Sequence, residues 1–185
     1  VDHLARIDHE LAKGVAANLG ITLSREQLAY ELPKPVNGLK KGDPALSLYA
    51  KGKQVIKSRL VSVLIAAGVS GKSVDAIRKA LKSAGVHPVF LAPRMGMIKT
   101  DEGGEITAND TIGGGPSALV DGVIVPGGAQ SVKVLIKDGN ALYHLRQAYK
   151  HLKPMGLCGE AEALLRAAGL PEDKTDIGIV MGDEA

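Results

Sequence analysis

From residue 58 onward, short apolar runs alternate with amphipathic stretches, and this alternation restricts the possible folds more than any other property of the chain. The runs Arg59–Ala67, Val86–Ala92, Val120–Val125, Lys153–Cys158 and Ile177–Met181 are compact and nearly continuous, as strands buried on both faces are. Between the first two, Val74, Ile77, Leu81 and Ala84 recur at helical spacing, with Ser73 placed to cap the helix and Gly85 to stop it. A further helix is predicted over about 139–152, with Leu142, Leu145, Ala148 and Leu152 inward, and another ends near Gly169. Parallel strands need long crossover connections, and a helix that packs back on the sheet supplies one. Strand–helix alternation therefore predicts an α/β domain over 58–185, a mostly parallel sheet with helices on both faces. Asp101–Gly104 is expected to be a turn within a small hairpin.

The first 57 residues differ in character. Leu4, Ile7, Leu11, Val15 and Leu19 form an apolar stripe at helical spacing, with Gly20 placed to end it. Asp8, His9, Glu10 and Lys13 make the wet face, where His9 is expected to be solvated. Ser24 to Gln27 matches a capping box for a short second helix. Residues 33–54 interleave Pro33, Pro35, Gly38, Gly42, Pro44 and Gly52 with lysines, the composition of a connector. The expected division is a helical segment at 1–32, a linker at 33–57 and the α/β domain at 58–185. A chain that opens at Val1 with a helical pattern already running is expected to be a fragment of something longer, with processing as the alternative.

Bulk composition narrows the function classes. With 185 residues and 45% hydrophobic content, one sizeable core is expected. A net charge of +3 with 3% aromatic residues and no Trp provides neither the basic stripe nor the stacking platform of a nucleic-acid binder. One cysteine cannot form an internal disulfide, and no apolar run reaches the length of about 18 residues needed for a membrane span. A cytoplasmic protein with no membrane partner is predicted.

The stretch Lys153-Pro154-Met155-Gly156-Leu157-Cys158-Gly159-Glu160 turns from strand into helix, the geometry that lifts a nucleophile above a parallel sheet. It resembles the elbow of the PfpI-like cysteine-nucleophile superfamily, where Lys-Pro and an apolar run precede Cys-His-Gly-Pro. An ungapped alignment sets Gly159 at the nucleophile position and Glu160 in place of the histidine. Cys158 thus sits one residue early, and strand alternation aims its sulfur elsewhere. It is expected to be a buried small apolar side chain. The acidic residue that the superfamily carries after its first strand is also missing from Ala66-Ala67-Gly68-Val69-Ser70-Gly71. Gly127 and Gly128 are placed to offer backbone N–H groups like an oxyanion hole. The competing reading is a hydrolase or glyoxalase that uses Cys158.

Other constellations invite different chemistry. Ala66 to Ser73 fits a relaxed phosphate loop, in which Gly71, Lys72 and Ser73 would cradle a nucleotide at a helix N-terminus. Its acidic metal partner would be Asp183. The alternative is a strand-to-helix turn with a solvated Lys72. His144 and His151 lie about 10 Å apart by helical rise, too far to share one ion, and His87 is expected at a sheet end. Gly113-Gly114-Gly115-Pro116 lacks dinucleotide-fingerprint spacing and is expected to be a flexible loop.

Three further stretches are similar to the C-terminal part of the large-subunit, hydroperoxidase II-like haem catalases. Ile7-Asp8-His9-Glu10-Leu11 with Val15-Ala16-Ala17-Asn18-Leu19-Gly20 resembles the end of that family's helical domain. Arg94-Met95-Gly96 and Asp121-Gly122-Val123-Ile124-Val125-Pro126-Gly127-Gly128 resemble the middle of its flavodoxin-like, PfpI-type domain, and Ala148-Tyr149-Lys150-His151-Leu152-Lys153-Pro154 is the most specific piece. The resemblance implies a parent homotetramer that converts hydrogen peroxide to water and oxygen at haem. It implies that this segment is non-catalytic and binds no cofactor, its partners being the catalase core of the same chain and neighbouring subunits, with a role in stability, assembly and core access. The family's proximal haem ligand lies in an Arg-x-x-x-Tyr motif, and Arg146-Gln147-Ala148-Tyr149 is one residue short of it. Tyr149 is expected to be a helix residue resting on the fold.

Overall fold

The computed structural model describes residues 1–32, 55–172 and 176–182, so most of the predicted linker and Asp183 lie outside the described residues. The chain divides into two compact units, Val1–Gln54 and Val55–Ala185.

In the first unit the expected single helix is two, α1 (Asp2–Ala5) and α2 (His9–Asn18). Asp8 takes an extended backbone, φ −155°, and its carboxylate accepts hydrogen bonds from the N–H groups of Glu10 and Leu11. A capping aspartate restarts the helix there instead of letting it run through. Within this unit Ala5, Ala12 and Ala16 are enclosed, while Ile7, Leu11 and Leu19 of the predicted apolar stripe are exposed. His9 is half-buried rather than solvated, and its Nε2 has no hydrogen-bond partner among the described residues. The capping box forms as expected at α3 (Arg25–Leu28): Ser24 Oγ accepts from Gln27 N–H, and Gln27 Oε1 accepts from Ser24 N–H.

The second unit is built on β1 (Leu60–Leu64), β2 (His87–Ala92), β5 (Asp110–Thr111), β6 (Gly122–Val125), β7 (Met155–Cys158) and β8 (Ile179–Gly182). They form one sheet in the order β5-β2-β1-β6-β7-β8, and every pairing in it is parallel. The predicted turn at Asp101–Gly104 joins β3 (Gly96–Lys99) to β4 (Glu105–Ala108) as an antiparallel hairpin. Side-chain alternation along β1 divides the core. Val63 and Ile65 pack with Val74 of α4 (Gly71–Ser83), Phe90 and the hairpin's Ile106 on one face. Leu64 and Ala66 pack on the other face with Val132 and Leu135 of α5 (Ala129–Ile136), Leu145 of α6 (Gly139–Lys150) and Leu164 of α7 (Ala163–Ala168). Burying each such aliphatic side chain contributes about 1.5–3 kcal/mol, which is why both faces are covered.

Several local expectations change. Helix α5 is additional to the predicted elements. Ser70 rather than Ser73 caps α4, its side chain accepting from Ser73 N–H. Helix α6 ends at Lys150, so Leu152 takes a left-handed φ of 55° and is 90% exposed, and His144 joins Leu145 and Ala148 on the buried face. Ile177 lies ahead of β8 and is fully exposed. Among the described residues, no helix is long and apolar enough to cross a membrane.

Candidate functional site

In open parallel sheets, ligands bind beyond the carboxyl ends of the strands where the strand order reverses. Here that point lies between β1 and β6, whose chain connections leave in opposite directions across the sheet. Ser70 N–H donates to Gly127 O at 2.9 Å, and Ala66 N–H donates to Ser131 Oγ at 2.9 Å, so the loops following the two strands are tied together. Gly128 has φ 116°, and a Cβ there would stand 2.6 Å from both Gly68 O and Ser70 N. Only glycine allows this approach of backbone to backbone.

The elbow after β7 completes the site. Met155 and Leu157 enter the core, and strand alternation turns Cys158 to the opposite side of the sheet. The thiol is half-buried rather than enclosed, because it ends its strand at the rim. Gly159 follows with φ 52° and opens a 3-10 turn, Gly159–Glu162, that leads into α7. The sharp left-handed step of the elbow thus falls on a residue without a side chain. Glu160 Oε2 accepts a hydrogen bond from Gly128 N–H at 3.2 Å. The backbone donor best placed to act in an oxyanion hole is therefore engaged by a carboxylate of the same chain.

The phosphate-loop candidate is similarly occupied. Gly68 N–H donates to Lys99 O at 2.8 Å, Val69 N–H to Ala66 O at 3.1 Å, and Gly71 N–H to Asp101 Oδ1 at 3.0 Å. Ser73 N–H serves the cap, and Lys72 Nζ pairs with Glu102 Oε1 at 3.1 Å, which raises the lysine's pKa. Two carboxylates from the hairpin turn stand where a phosphate would carry its charge, and like charges repel.

The remaining candidates are dispersed. His87 is exposed at the start of β2, and His151 is exposed at the end of α6. His144 is buried, and its Nε2 lies 3.0 Å from Ser62 Oγ. Burial, reinforced by the Lys153 charge and opposed by a hydrogen bond to the Gly115 backbone, pushes its pKa down to about 4. Lys153 itself donates to the backbone oxygens of Ser117 and, at 2.6 Å, Val120, and so ties the segment before β6 to the segment before β7. Tyr149 rests against the core, and its hydroxyl donates to Asp176 Oδ2 at 3.1 Å, with its pKa raised by that carboxylate. A phenol already committed to a carboxylate does not fit a haem ligand. Among the described residues, no cluster of three or more His, Cys, Asp or Glu side chains is arranged to hold a metal.

Three of these relationships had no signal in sequence. Ser62 and His144 are 82 positions apart, Gly128 and Glu160 are 32 apart, and Lys153 reaches 33 residues back to Val120. Only the Lys153-Pro154 dipeptide carried a hint, through its family resemblance.

Residues 57–185 match the C-terminal domain found in long catalases. Catalase HPII of Pseudomonas aeruginosa is 38% identical over 182 residues, 98% of this chain and 24% of that protein. Catalase HPII of Mycobacterium avium is 36% identical over 186 residues, 100% of this chain and 25% of that protein. The chain thus spans about a quarter of the length of the curated relatives it matches. Among solved structures, Drosophila melanogaster DJ-1beta superposes with a TM-score of 0.62 at 17% identity, covering 68% of this chain and 82% of that one. The fold is accordingly flavodoxin-like, of the DJ-1/PfpI type. With its α/β unit matched throughout, the chain belongs to the long catalases, and residues 57–185 are the C-terminal domain found in them.

Proposed function

We propose that this chain is a non-catalytic part of a larger, cytoplasmic, homo-oligomeric catalase, in which it supports stability, assembly and access to the core. Its parts are a helical segment at 1–32, a linker at 33–57 and the α/β domain at 58–185. The parent reaction would be the conversion of hydrogen peroxide to water and oxygen, with haem held by residues outside this chain. One observation carries the non-catalytic reading: the elbow presents Gly159 where a nucleophile would stand, and Glu160 occupies the N–H of Gly128. A thiolate at Cys158 would need an activating environment and an open oxyanion site, and the carboxylate at Gly128 opposes the second.

The exposed stripe of Ile7, Leu11 and Leu19 supports a partner in the rest of the parent chain, since a short helix gains most of its stability from packing. Two experiments test the reading. Haem titrated into the chain is expected to give neither a Soret band nor oxygen release from peroxide. Deleting residues 55–185 from the parent enzyme is expected to lower heat resistance and oligomer stability while turnover per haem survives. Unchanged heat resistance and assembly in the shortened enzyme would refute the support role.

A further inference from the structure

A second cleft lies on the helical face of the second unit, between α6 and the chain from Ile112 to Ala118, with a volume of about 240 Å³. This is slightly below the size of typical small-molecule sites, about 300 Å³ and upward. Asn140, Tyr143 and Gln147 of helix α6 line it, positions that recur at helical spacing and therefore share one face, and His151 lines it just beyond the helix end.

The chemistry of the lining is specific. No Lys, Arg, Asp or Glu side chain lines the cleft. The amides of Asn140 and Gln147 and the hydroxyl of Tyr143 make no hydrogen bond with any described residue. His144 forms part of the wall, but its Nε2 is matched with Ser62 Oγ, so it serves as a fixed, neutral surface. Ile112, Pro116 and Ala118 supply an apolar side opposite the amides. Gly113 opens the rim: a Cβ there would come within 3.3 Å of Asn140 Nδ2.

We propose that this cleft binds a small uncharged polyol, of monosaccharide size, through Asn140 and Gln147, with its C–H face against Tyr143. A primary amide donates and accepts at once, as a hydroxyl does, and Asn140 and Gln147, about 10 Å apart by helical rise, match hydroxyl groups at opposite ends of a sugar ring. An aromatic ring offers large apolar contact at low conformational cost. The absence of charge in the lining disfavours phosphates and carboxylates, which would lose hydration without gaining a counter-charge. This assignment stands apart from the catalase reading, because the cleft does not involve the elbow or the switch point.

The test is a titration of the isotope-labelled full chain with glucose, galactose, mannose and glycerol, followed by amide chemical shifts. Glucose 6-phosphate and adenosine serve as the charged and aromatic contrasts. The expected result is saturable, millimolar binding of at least one neutral polyol, with shifts confined to residues 112–118 and to α6. The Asn140→Ala/Gln147→Ala double variant is expected to weaken that binding by about tenfold, the loss of one to two hydrogen bonds, with its melting temperature unchanged. Gly113→Leu, which fills the rim without removing a polar group, is expected to abolish it. No saturable shift with any of the four polyols would overturn the proposal. So would polyol binding indifferent to both variants, or tighter binding of adenosine or glucose 6-phosphate at the same residues.

Discussion

The carboxylate of Glu160 accepts the backbone N–H of Gly128 at 3.2 Å, joining the elbow after β7 to the loop after β6. Both ends of this contact rest on glycines in the left-handed half of backbone space, Gly128 at φ 116° and Gly159 at φ 52°. The pairing turns a place where a parallel sheet commonly binds ligands into an internally satisfied junction.

Replacing Gly128 by alanine tests that junction most severely. The new Cβ would meet backbone atoms at 2.6 Å, and those atoms belong to the Gly68–Ser70 loop that is tied to Gly127. Loss of at least about 2 kcal/mol of unfolding free energy is expected, since backbone strain adds to the clash. Urea unfolding of the variant against the parent measures it.

At Gly159 the expected cost is smaller. A left-handed φ costs an L-residue about 1–2 kcal/mol, and Gly159→Ala should lower stability within that range while leaving the sheet intact. An unchanged urea midpoint would mean that the turn relaxes and the elbow is not fixed by its backbone.

His144 predicts a pH dependence. Its folded pKa is lowered from 6.5 to about 4, so between these values the unfolded chain binds a proton that the folded chain does not. The stabilisation is therefore complete above about pH 6.5 and falls away as pH drops towards 4, by about 3 kcal/mol in all. In His144→Gln that portion of the slope should vanish. Unfolding free energies measured at several pH values between 4 and 7 give the slope directly.

Lys153 acts as a strut. Its ammonium group donates to the oxygens of Ser117 and Val120, and Lys153→Met keeps much of the stem while leaving both carbonyls without that partner. A loss of about 1–3 kcal/mol is expected in thermal unfolding, with faster hydrogen exchange at Leu119 to Asp121.

Lys72→Ala, in contrast, should leave the urea midpoint essentially unchanged, because its pair with Glu102 is exposed and screened by solvent. Magnesium and ATP should leave the melting temperature of the parent and variant alike. An ATP-induced shift that disappears with Lys72 would restore the phosphate-loop reading.

The parallel sheet was legible in sequence because strands buried on both faces must be largely apolar, as Val63 to Ala66 and Val123 to Val125 are, and because helices must intervene between them. The helix α4 and the hairpin turn at Asp101–Gly104 were equally open, since periodicity and turn chemistry are local. Helix α5 escaped notice because its eight residues bury only a short apolar face, Val132 and Leu135, directly after a glycine pair. Leu152 obeyed the helical spacing but not the helix, which ended two residues earlier. The candidate site was legible only as an absence: Gly159 in the elbow position and Glu160 in place of a histidine.

What filled the absence was decided in three dimensions. Local sequence sets which segments become strands and helices, since those choices depend on neighbours within a few positions. The seating of Glu160 on Gly128, the burial of His144 against Ser62, and the reach of Asp101 to Gly71 each join residues that are 30 or more positions apart. Such contacts exist only after the sheet has brought its strands into register, and their energies depend on burial that no single segment possesses alone.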